Sequence, residues 1–296
     1  MPLPEAGRSH RAALDHVVIN VLTDMDQAAG LFADLGFTLT ERGYHSLGSI
    51  NHLAMFGTDY LELVGVELGA DPVRREIADG SIGLDGLVFA TDDASGLRDR
   101  LLREGIPARA PQAFSRPVRL GSVEERAEFV TVRIDPEYVR GGRIYFCEHK
   151  TPHLVWRPEW QAHPNSTLGV GRLTIVVPDP LQEARRYGVL LGSSVRTLDA
   201  SESEIRLGAF HLVLCSLDRY RDRYGTFGCS TSREPHPESA PGVAFIGALQ
   251  LRVASLSQAR TCVRRASERR GVEFDDAASM LVVSARSAYD SVIEFV

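Results

Sequence analysis

The sequence lacks the features that mark a membrane or secreted protein. Nowhere do 18 consecutive apolar residues occur, so no membrane-spanning helix is predicted. The opening segment MPLPEAGRSHRA has no apolar run that could act as a signal sequence, and a cytoplasmic protein is expected. The four cysteines lie far apart without a CxxC spacing, which argues against a zinc knot or a disulfide framework and favours reduced packing residues.

Positive charge is also scarce. The formal net charge is -6 at pH 7, and Lys150 is the only lysine. Neutralising phosphates requires a clustered basic surface, so nucleic acid is not an expected partner. With 296 residues, of which 44% are hydrophobic, the chain can bury a full core and is long enough for two domains.

What the sequence does contain is a fourfold internal repeat, with copies that begin near positions 14, 84, 170 and 246. Each copy has an apolar strand, a turn marked by Asp, Pro or Ser, a helix with apolar residues at helical spacing, and a glycine that ends the helix. Shorter extended segments follow, which in the first copy are FTLTE, NHLAMF and DYLELVGV. The repeating unit is therefore predicted to be βαβββ.

This unit predicts an α+β fold. A βαβββ sheet carries its helix on one face only, so two units are expected to pair into a curved mixed sheet around a cleft. Four units give two such domains, at 14–158 and 170–296, after an N-terminal tail at 1–13. The connector at 159–169 and the residues just before it, together WRPEWQAHPNSTLG, are rich in Pro, Trp and polar residues, which favours a packed link.

The repeat, the opening LDHVVINV, the NHL…DYLELV hairpin and the FCEHKTPHLVWRPEW segment resemble the vicinal oxygen chelate superfamily, in particular its glyoxalase-like branch. The resemblance covers 14 to about 165 well and continues through the repeat alone. It implies a divalent metal ion in the cleft, with Fe, Mn, Ni and Zn not distinguished, and a small-molecule substrate. Members include lyases, isomerases, dioxygenases and metal-free drug-binding proteins, so it does not select one reaction. It also leaves a homodimer open.

Strand alternation indicates which side chains face the predicted cleft. If the apolar faces of the strands pack on the helices, then His16, Glu62 and His149 face the cleft. Two imidazoles and one carboxylate match the arrangement used by non-haem iron enzymes and also suit Mn, Ni or Zn, so these three are the predicted metal ligands. In the second copy, Gly86 aligns with His16 and offers no ligand. The coordination position on this side of the metal would therefore stay open for water or a bidentate substrate.

Two further residues are candidates for catalysis. His52 is expected in the cleft if Leu53 and Met55 belong to the core, and there it could move a proton or serve as a reserve ligand. Tyr145 is expected beside it and could polarise a substrate oxygen. Each residue also has a plainer interpretation: His52 and Tyr145 as packing residues, and His149 as a strand-end residue that bonds to the next turn.

The loop RGYHSLGSIN, between the second and third strands, supplies Gly43, His45, Gly48 and Asn51. Glycines allow a loop to approach a ligand closely, although the same composition also makes an ordinary surface loop. Trp156 and Trp160 are expected to anchor the connector rather than the site.

In the second half, the four positions that correspond to the predicted metal site carry Arg172, Val213, Ala248 and Glu294. One carboxylate and an arginine cannot hold a transition metal, so an ion pair between Arg172 and Glu294 is expected. Three functions remain open at this point. They are a metal-dependent enzyme of lyase, isomerase or dioxygenase type, a metal-free protein that sequesters a small molecule, and a scaffold.

Overall fold

The computed structural model describes residues 12–228 and 244–296, and it contains two eight-stranded sheets. The first half of the chain supplies β1 (Ala13–Asn20), α1 (Met25–Asp34), β2 (Gly43–Tyr44), β3 (Ile50–Met55), β4 (Tyr60–Gly65), α2 (Arg75–Ala78), β5 (Gly83–Ala90), α3 (Ala94–Arg103), β6 (Gln112–Leu120), β7 (Val123–Arg133) and β8 (Arg143–His149). All but two residues of the tail predicted at 1–13 lie outside the described residues, as does Cys229.

The second half repeats this arrangement. It supplies β9 (Thr167–Val176), α4 (Pro180–Leu191), β10 (Val195–Asp199), β11 (Glu202–Leu207), β12 (Phe210–Cys215), α5 (Leu217–Tyr224), β13 (Phe245–Val253), α6 (Leu256–Arg270), β14 (Phe274–Ala277), β15 (Met280–Val283) and β16 (Val292–Phe295). The predicted fourfold βαβββ repeat is confirmed. No helix of the described residues is long and apolar enough to cross a membrane.

Each sheet consists of two βαβββ modules side by side. The strand order is β2-β3-β4-β1-β5-β8-β7-β6 in the first sheet and β10-β11-β12-β9-β13-β16-β15-β14 in the second. Within a module the first strand pairs in parallel with the fourth, as β1 does with β4. The two modules join through antiparallel pairing of their first strands, as β1 pairs with β5. This confirms the α+β class with mixed sheets.

The turn residues found in the sequence cap the helices. The side chain of Asp93 accepts a hydrogen bond from the backbone N–H of Gly96 at the start of α3, and Asp179 and Ser255 do the same for α4 and α6. Such caps satisfy backbone donors that have no partner inside the helix. Gly192 and Gly271 end α4 and α6 in the left-handed conformation that glycine adopts at little cost.

The helix-bearing sides of the two sheets share one continuous hydrophobic core. This core joins Val17 and Ile19 of the first sheet to Leu173, Ile175 and residues of all four long helices. The opposite sides of the sheets carry two separate apolar clusters, one per sheet. Each sheet therefore presents its own cleft on the side away from the shared core.

The connector packs tightly against the first sheet. His163 donates from Nε2 to the carbonyl of Met55 at 2.8 Å, and its Nδ1 accepts from the backbone N–H of Thr38 at 3.0 Å. Asn165 donates to the carbonyl of Leu35 at 3.0 Å. These bonds also explain one difference from the sequence interpretation. FTLTE is not a strand, because the connector binds the backbone at Thr38, and the short β2 forms later, at Gly43–Tyr44.

Candidate functional site

His16 and Glu62 meet in the cleft of the first sheet. They lie on the adjacent parallel strands β1 and β4, whose register places His16 opposite Tyr60 and Val18 opposite Glu62. Residues two apart share a face, so both side chains project into the cleft. The Nε2 atom of His16 lies 3.4 Å from Oε2 of Glu62, and both residues are buried.

Asp15 belongs to the same group, although alternation would place it on the helix side. Between β1 and β5 the register passes from Leu14 opposite Phe89 to His16 opposite Val88, which leaves Asp15 as the extra residue of a β-bulge. A bulge changes the direction of a side chain and is common beside active sites. The Nδ1–H of His16 donates to Oδ2 of Asp15 at 2.6 Å.

His149 contacts Asp15 rather than Glu62. Its Nε2–H donates to Oδ1 of Asp15 at 3.1 Å, and it lies on the cleft side of β8 as the sequence indicated. Glu148 points the other way, where it accepts from the backbone N–H of Ala94 at 3.0 Å. The sequence favoured His149 over Glu148 for this reason, and the structure agrees.

The predicted triad does not converge on one point. Within the part of the chain that the structure describes, the three residues that bring metal-binding atoms within 4.8 Å of one another are Asp15, Cys147 and His149. His16, Glu62 and His149 form no such group, because Asp15 lies between the two imidazoles. The structure brings His16 to Glu62 and His149 to Asp15, and the triad as one metal site remains a prediction.

Tyr145 and Gly86 occupy the positions in the second module that correspond to Glu62 and His16. The Tyr145 ring lies 6.0 Å from the ring of His16, edge to face, so it faces the cleft as predicted. Gly86 lies opposite Val18, and a Cβ there would approach the Val18 side chain to 2.8 Å. The space beside Gly86 is thus occupied by the Val18 side chain.

His52 faces away from the cleft, which corrects the sequence interpretation. In the β3–β4 pair His52 lies opposite Leu63 and Leu53 lies opposite Glu62, so Leu53 is the residue on the cleft side. One ring nitrogen of His52, Nδ1, contacts the carbonyl of Thr40 at 2.8 Å. The structure thus places the His52 side chain on the face of β3 opposite to Leu53 and the cleft.

Two residues that the ligand assignment left out also line the cleft: His45 in the loop between β2 and β3, and Asn51 on β3. Asn51 donates from Nδ2 to Oε1 of Glu62 at 2.7 Å and to Nε2 of His45 at 3.2 Å. The other ring nitrogen of His45 lies 2.8 Å from the hydroxyl of Ser49. Burial lowers the pKa of His45 to about 3, so this imidazole is neutral. Asn51 thereby fixes the orientation of the Glu62 carboxylate.

Three adjacent groups of the cleft, Asp15, His16 and Glu62, have shifted pKa values. Against the upward effect of burial, the hydrogen bond and charge of His16 lower the pKa of Glu62 to about 2. Against the same effect, His149 and then His16 hold the pKa of Asp15 well below its usual range. Against the downward effect of burial, Asp15 and Glu62 raise the pKa of His16. Two carboxylates beside one imidazole favour a positive charge at this point.

The donor set fits a divalent metal ion at His16 and Glu62. Two atoms that bind one ion at about 2.0–2.2 Å stand about 3–3.5 Å apart, and the observed separation is 3.4 Å. A carboxylate on the second nitrogen of a ligating histidine is the usual partner that sets its tautomer and orientation, and Asp15 occupies this place.

The cleft of the second sheet has a different polar centre. Gln250 lies opposite Glu294 in the register of β13 and β16 and donates to its carboxylate at 2.8 Å. The expected ion pair between Arg172 and Glu294 does not form between these described residues, because the neighbouring amide takes its place.

Comparison with known proteins gives one family and a common fold. Residues 14–191, more than half of the chain, match the model of a family described as glyoxalase-like domain. No curated protein matches the sequence.

The solved structures that share the fold include the following three, at identities too low to show more than the fold. A hypothetical protein from Staphylococcus aureus is 10% identical with a TM-score of 0.63, covering 96% of this chain and 99% of that one. A mutant of 4-hydroxymandelate synthase from Streptomyces coelicolor is 13% identical with a TM-score of 0.58, covering 96% and 92%. A Mn(II)-bound glyoxalase from Novosphingobium aromaticivorans is 11% identical with a TM-score of 0.55, covering 98% and 82%.

Proposed function

Because the chain belongs to the family of glyoxalase-like domains, we propose that it is a divalent-metal-dependent enzyme of the vicinal oxygen chelate type. Its substrate is a small organic molecule bound in the cleft of the first sheet. The observation that carries this proposal is the 3.4 Å approach of His16 Nε2 to Glu62 Oε2 on adjacent strands. The Mn(II) described for one protein of the same fold is consistent with it.

In this proposal His16 and Glu62 are the protein ligands of the metal ion. His149 forms a hydrogen bond with Asp15 instead of binding the metal. Asp15 sets the tautomer of His16 by accepting from Nδ1, which leaves Nε2 available as a donor atom. The bond from His149 then holds Asp15 in place. A divalent ion in such a site supplies Lewis-acid stabilisation of negative charge on a substrate oxygen. Two protein ligands leave room for a substrate that binds through two oxygens.

Tyr145 is the proposed hydrogen-bond donor to the substrate. Burial raises the pKa of its hydroxyl, so the side chain stays protonated and can donate to a substrate oxygen. It faces His16 and occupies the position that corresponds to Glu62 in the second module. Asn51 and the neutral His45 complete the polar wall beside Glu62.

The test is the metal content of the purified protein, measured by mass spectrometry before chelation and after reloading with Mn²⁺. We expect close to one ion per chain in the native protein, and a large loss in His16→Ala and Glu62→Gln. His149→Ala should keep its metal with reduced affinity. The control is His153→Ala, since His153 is exposed and follows β8 in the chain. Full metal content in His16→Ala would refute the ligand assignment.

One observation favours a second candidate, a metal-free protein that binds a small molecule. Catalytic zinc sites usually have three protein ligands, whereas the corresponding corners here offer His16 and Glu62 beside Gly86 and Tyr145. Asp15, His16 and Glu62 also satisfy one another without an ion. A native protein that binds no more Mn²⁺ than His16→Ala, yet binds small organic molecules in this cleft, would establish this alternative.

A further inference from the structure

A buried arginine lines the same cleft without a partner for one of its nitrogens. Arg116 lies on β6 opposite Ala127, is 4% exposed, and shares the cleft wall with His16 and Glu62. Its Nη2 atom is buried and has no hydrogen-bond partner among the described residues. A buried guanidinium that lacks a partner is unfavourable, so some group that is not part of this wall is expected to meet it.

The carboxylates of the cleft are already engaged. Glu62 accepts from Asn51 on one oxygen and faces His16 with the other. Asp15 is shared by His16 and His149. None of the ion pairs between described residues includes Arg116, and burial lowers the pKa of its guanidinium.

The neighbouring Arg74, in contrast, has a carboxylate partner. Arg74 also lines the cleft and is buried, but its Nε donates to Glu76 at 2.6 Å and its Nη1 lies 3.5 Å from the Ser49 hydroxyl. The chain therefore supplies a carboxylate to one of the two arginines and leaves the other for a ligand.

Gly43 on β2 makes space for this arginine. A Cβ at Gly43 would approach Oδ1 of Asn51 to 2.3 Å and Cδ of Arg116 to 3.0 Å. A larger residue would displace the two side chains that line the wall beside Glu62. This close approach gives a physical reason for a glycine at position 43. The observed position of Arg116 depends on the absence of a side chain there.

We infer that Arg116 binds a carboxylate of the substrate, so the substrate class is a small organic acid. Guanidinium and carboxylate form strong charge-assisted hydrogen bonds, and water is largely excluded at this point. The free volume of the cleft in this conformation is small, about 30 Å³. Its remaining walls are largely apolar and include Leu53, Tyr60, Phe114, Phe129 and Tyr145. The rest of the molecule is accordingly small and apolar or aromatic.

The inference rests on the proposed function for the place of the reacting oxygens, near His16 and Glu62. The contact between Arg116 and the carboxylate does not itself need a metal ion. The two proposals can therefore fail separately, provided that binding is measured in protein from which metal has been removed.

The experiment compares acids with their amides, which have similar shape and no charge. Chelator-treated protein is titrated calorimetrically with acetate, pyruvate and benzoate, each beside acetamide, pyruvamide and benzamide. We expect at least one acid to bind about tenfold or more tightly than its amide. Arg116→Met should lose this preference, Arg116→Lys should keep part of it, and both should retain the metal content of the native protein. Arg126→Met is the control, since Arg126 is an exposed arginine on β7.

The two arms separate the possible failures. No preference for any acid in the native protein would overturn the inference even if metal binds as proposed. The same holds if Arg116→Met keeps the preference. A preference that depends on Arg116 in a protein that binds no metal would support the inference and refute the metal-dependent function.

Discussion

Asp15 accepts a hydrogen bond from Nδ1 of His16 at 2.6 Å and another from Nε2 of His149 at 3.1 Å. One carboxylate thus joins the two imidazoles that the sequence placed in the cleft. It fixes the tautomer of His16, so that Nε2 is the nitrogen that faces Glu62. The sheet can hold this carboxylate in the cleft only because of the bulge at Asp15.

We predict that Asp15→Asn weakens metal binding without abolishing it. The amide keeps the size of the side chain but loses the charge that orients His16, and changes of this kind reduce metal affinity about 10–100-fold. The measurement is the Kd for Mn²⁺ by calorimetry, with Asp99→Asn, an exposed carboxylate on α3, as the control. An unchanged Kd would show that Asp15 does not support the ligand.

The sequence predicted the fold and most of the cleft because the repeat and the strand alternation are regular. Glu62, Tyr145 and His149 lie on regular parts of their strands, His16 directly follows the bulge, and all four side chains face the cleft. Asp15 was missed because a bulge breaks the alternation, and a bulge depends on the pairing of two strands rather than on local sequence.

His52 was misplaced for a different reason. The sequence interpretation treated Leu53 and Met55 as core residues on the helix side. The cleft is itself lined by an apolar cluster that contains both residues. Hydrophobicity therefore cannot distinguish the two faces of β3. For this reason the sequence interpretation placed the wrong set of β3 side chains in the cleft.

The positions of His45 and Arg116 could not be predicted from periodicity at all. His45 reaches the site from a loop, and Arg116 reaches it from β6, at the far end of the sheet order from β2 and β3. Curvature of the sheet brings these two ends together, and the backbone N–H of Ser46 donates to the carbonyl of Ser115 at 2.8 Å. Such contacts depend on tertiary structure.

We predict that His52→Ala leaves the metal content and the acid preference unchanged. Its side chain lies on the helix side beside Thr40 and Arg42, away from Glu62. The loss is limited to a local hydrogen bond, which contributes about 0.5–1.5 kcal/mol to the free energy of unfolding. Metal analysis and thermal unfolding of the same sample test this prediction. Loss of metal in His52→Ala would show that His52 is a metal ligand.

We predict that Gly86→Ala destabilises the protein, because the corner at Gly86 is occupied by Val18. The added Cβ would stand 2.8 Å from two atoms of the Val18 side chain, and overpacking of this kind costs about 1–3 kcal/mol. Val18→Gly removes both of these atoms and should relieve the contact, so the double variant should be more stable than the sum of the single effects by about 1 kcal/mol. Urea unfolding of the native protein, the two single variants and the double variant measures this coupling. Strictly additive effects would show that β1 and β5 move apart to accommodate the added methyl group.

We predict that His163 makes the protein less stable as the pH falls below about 6.5. Burial lowers the pKa of His163, and its Nδ1 must stay unprotonated to accept from Thr38. The unfolded chain therefore takes up a proton at a higher pH than the folded chain. Stability is fully present above the unfolded pKa of about 6.5 and decreases as the pH falls toward the folded value.

The measurement for this prediction is the Tm at pH 7.5 and pH 5.5 in the native protein and in His163→Gln. The variant should have a lower Tm at pH 7.5, because it loses the bonds that join the connector to Met55 and Thr38. Its further decrease at pH 5.5 should be smaller than that of the native protein, by about 1–3 °C. His153→Gln serves as the control because His153 is exposed. An equal decrease in all three proteins would assign the acid sensitivity to other groups, such as the buried His45.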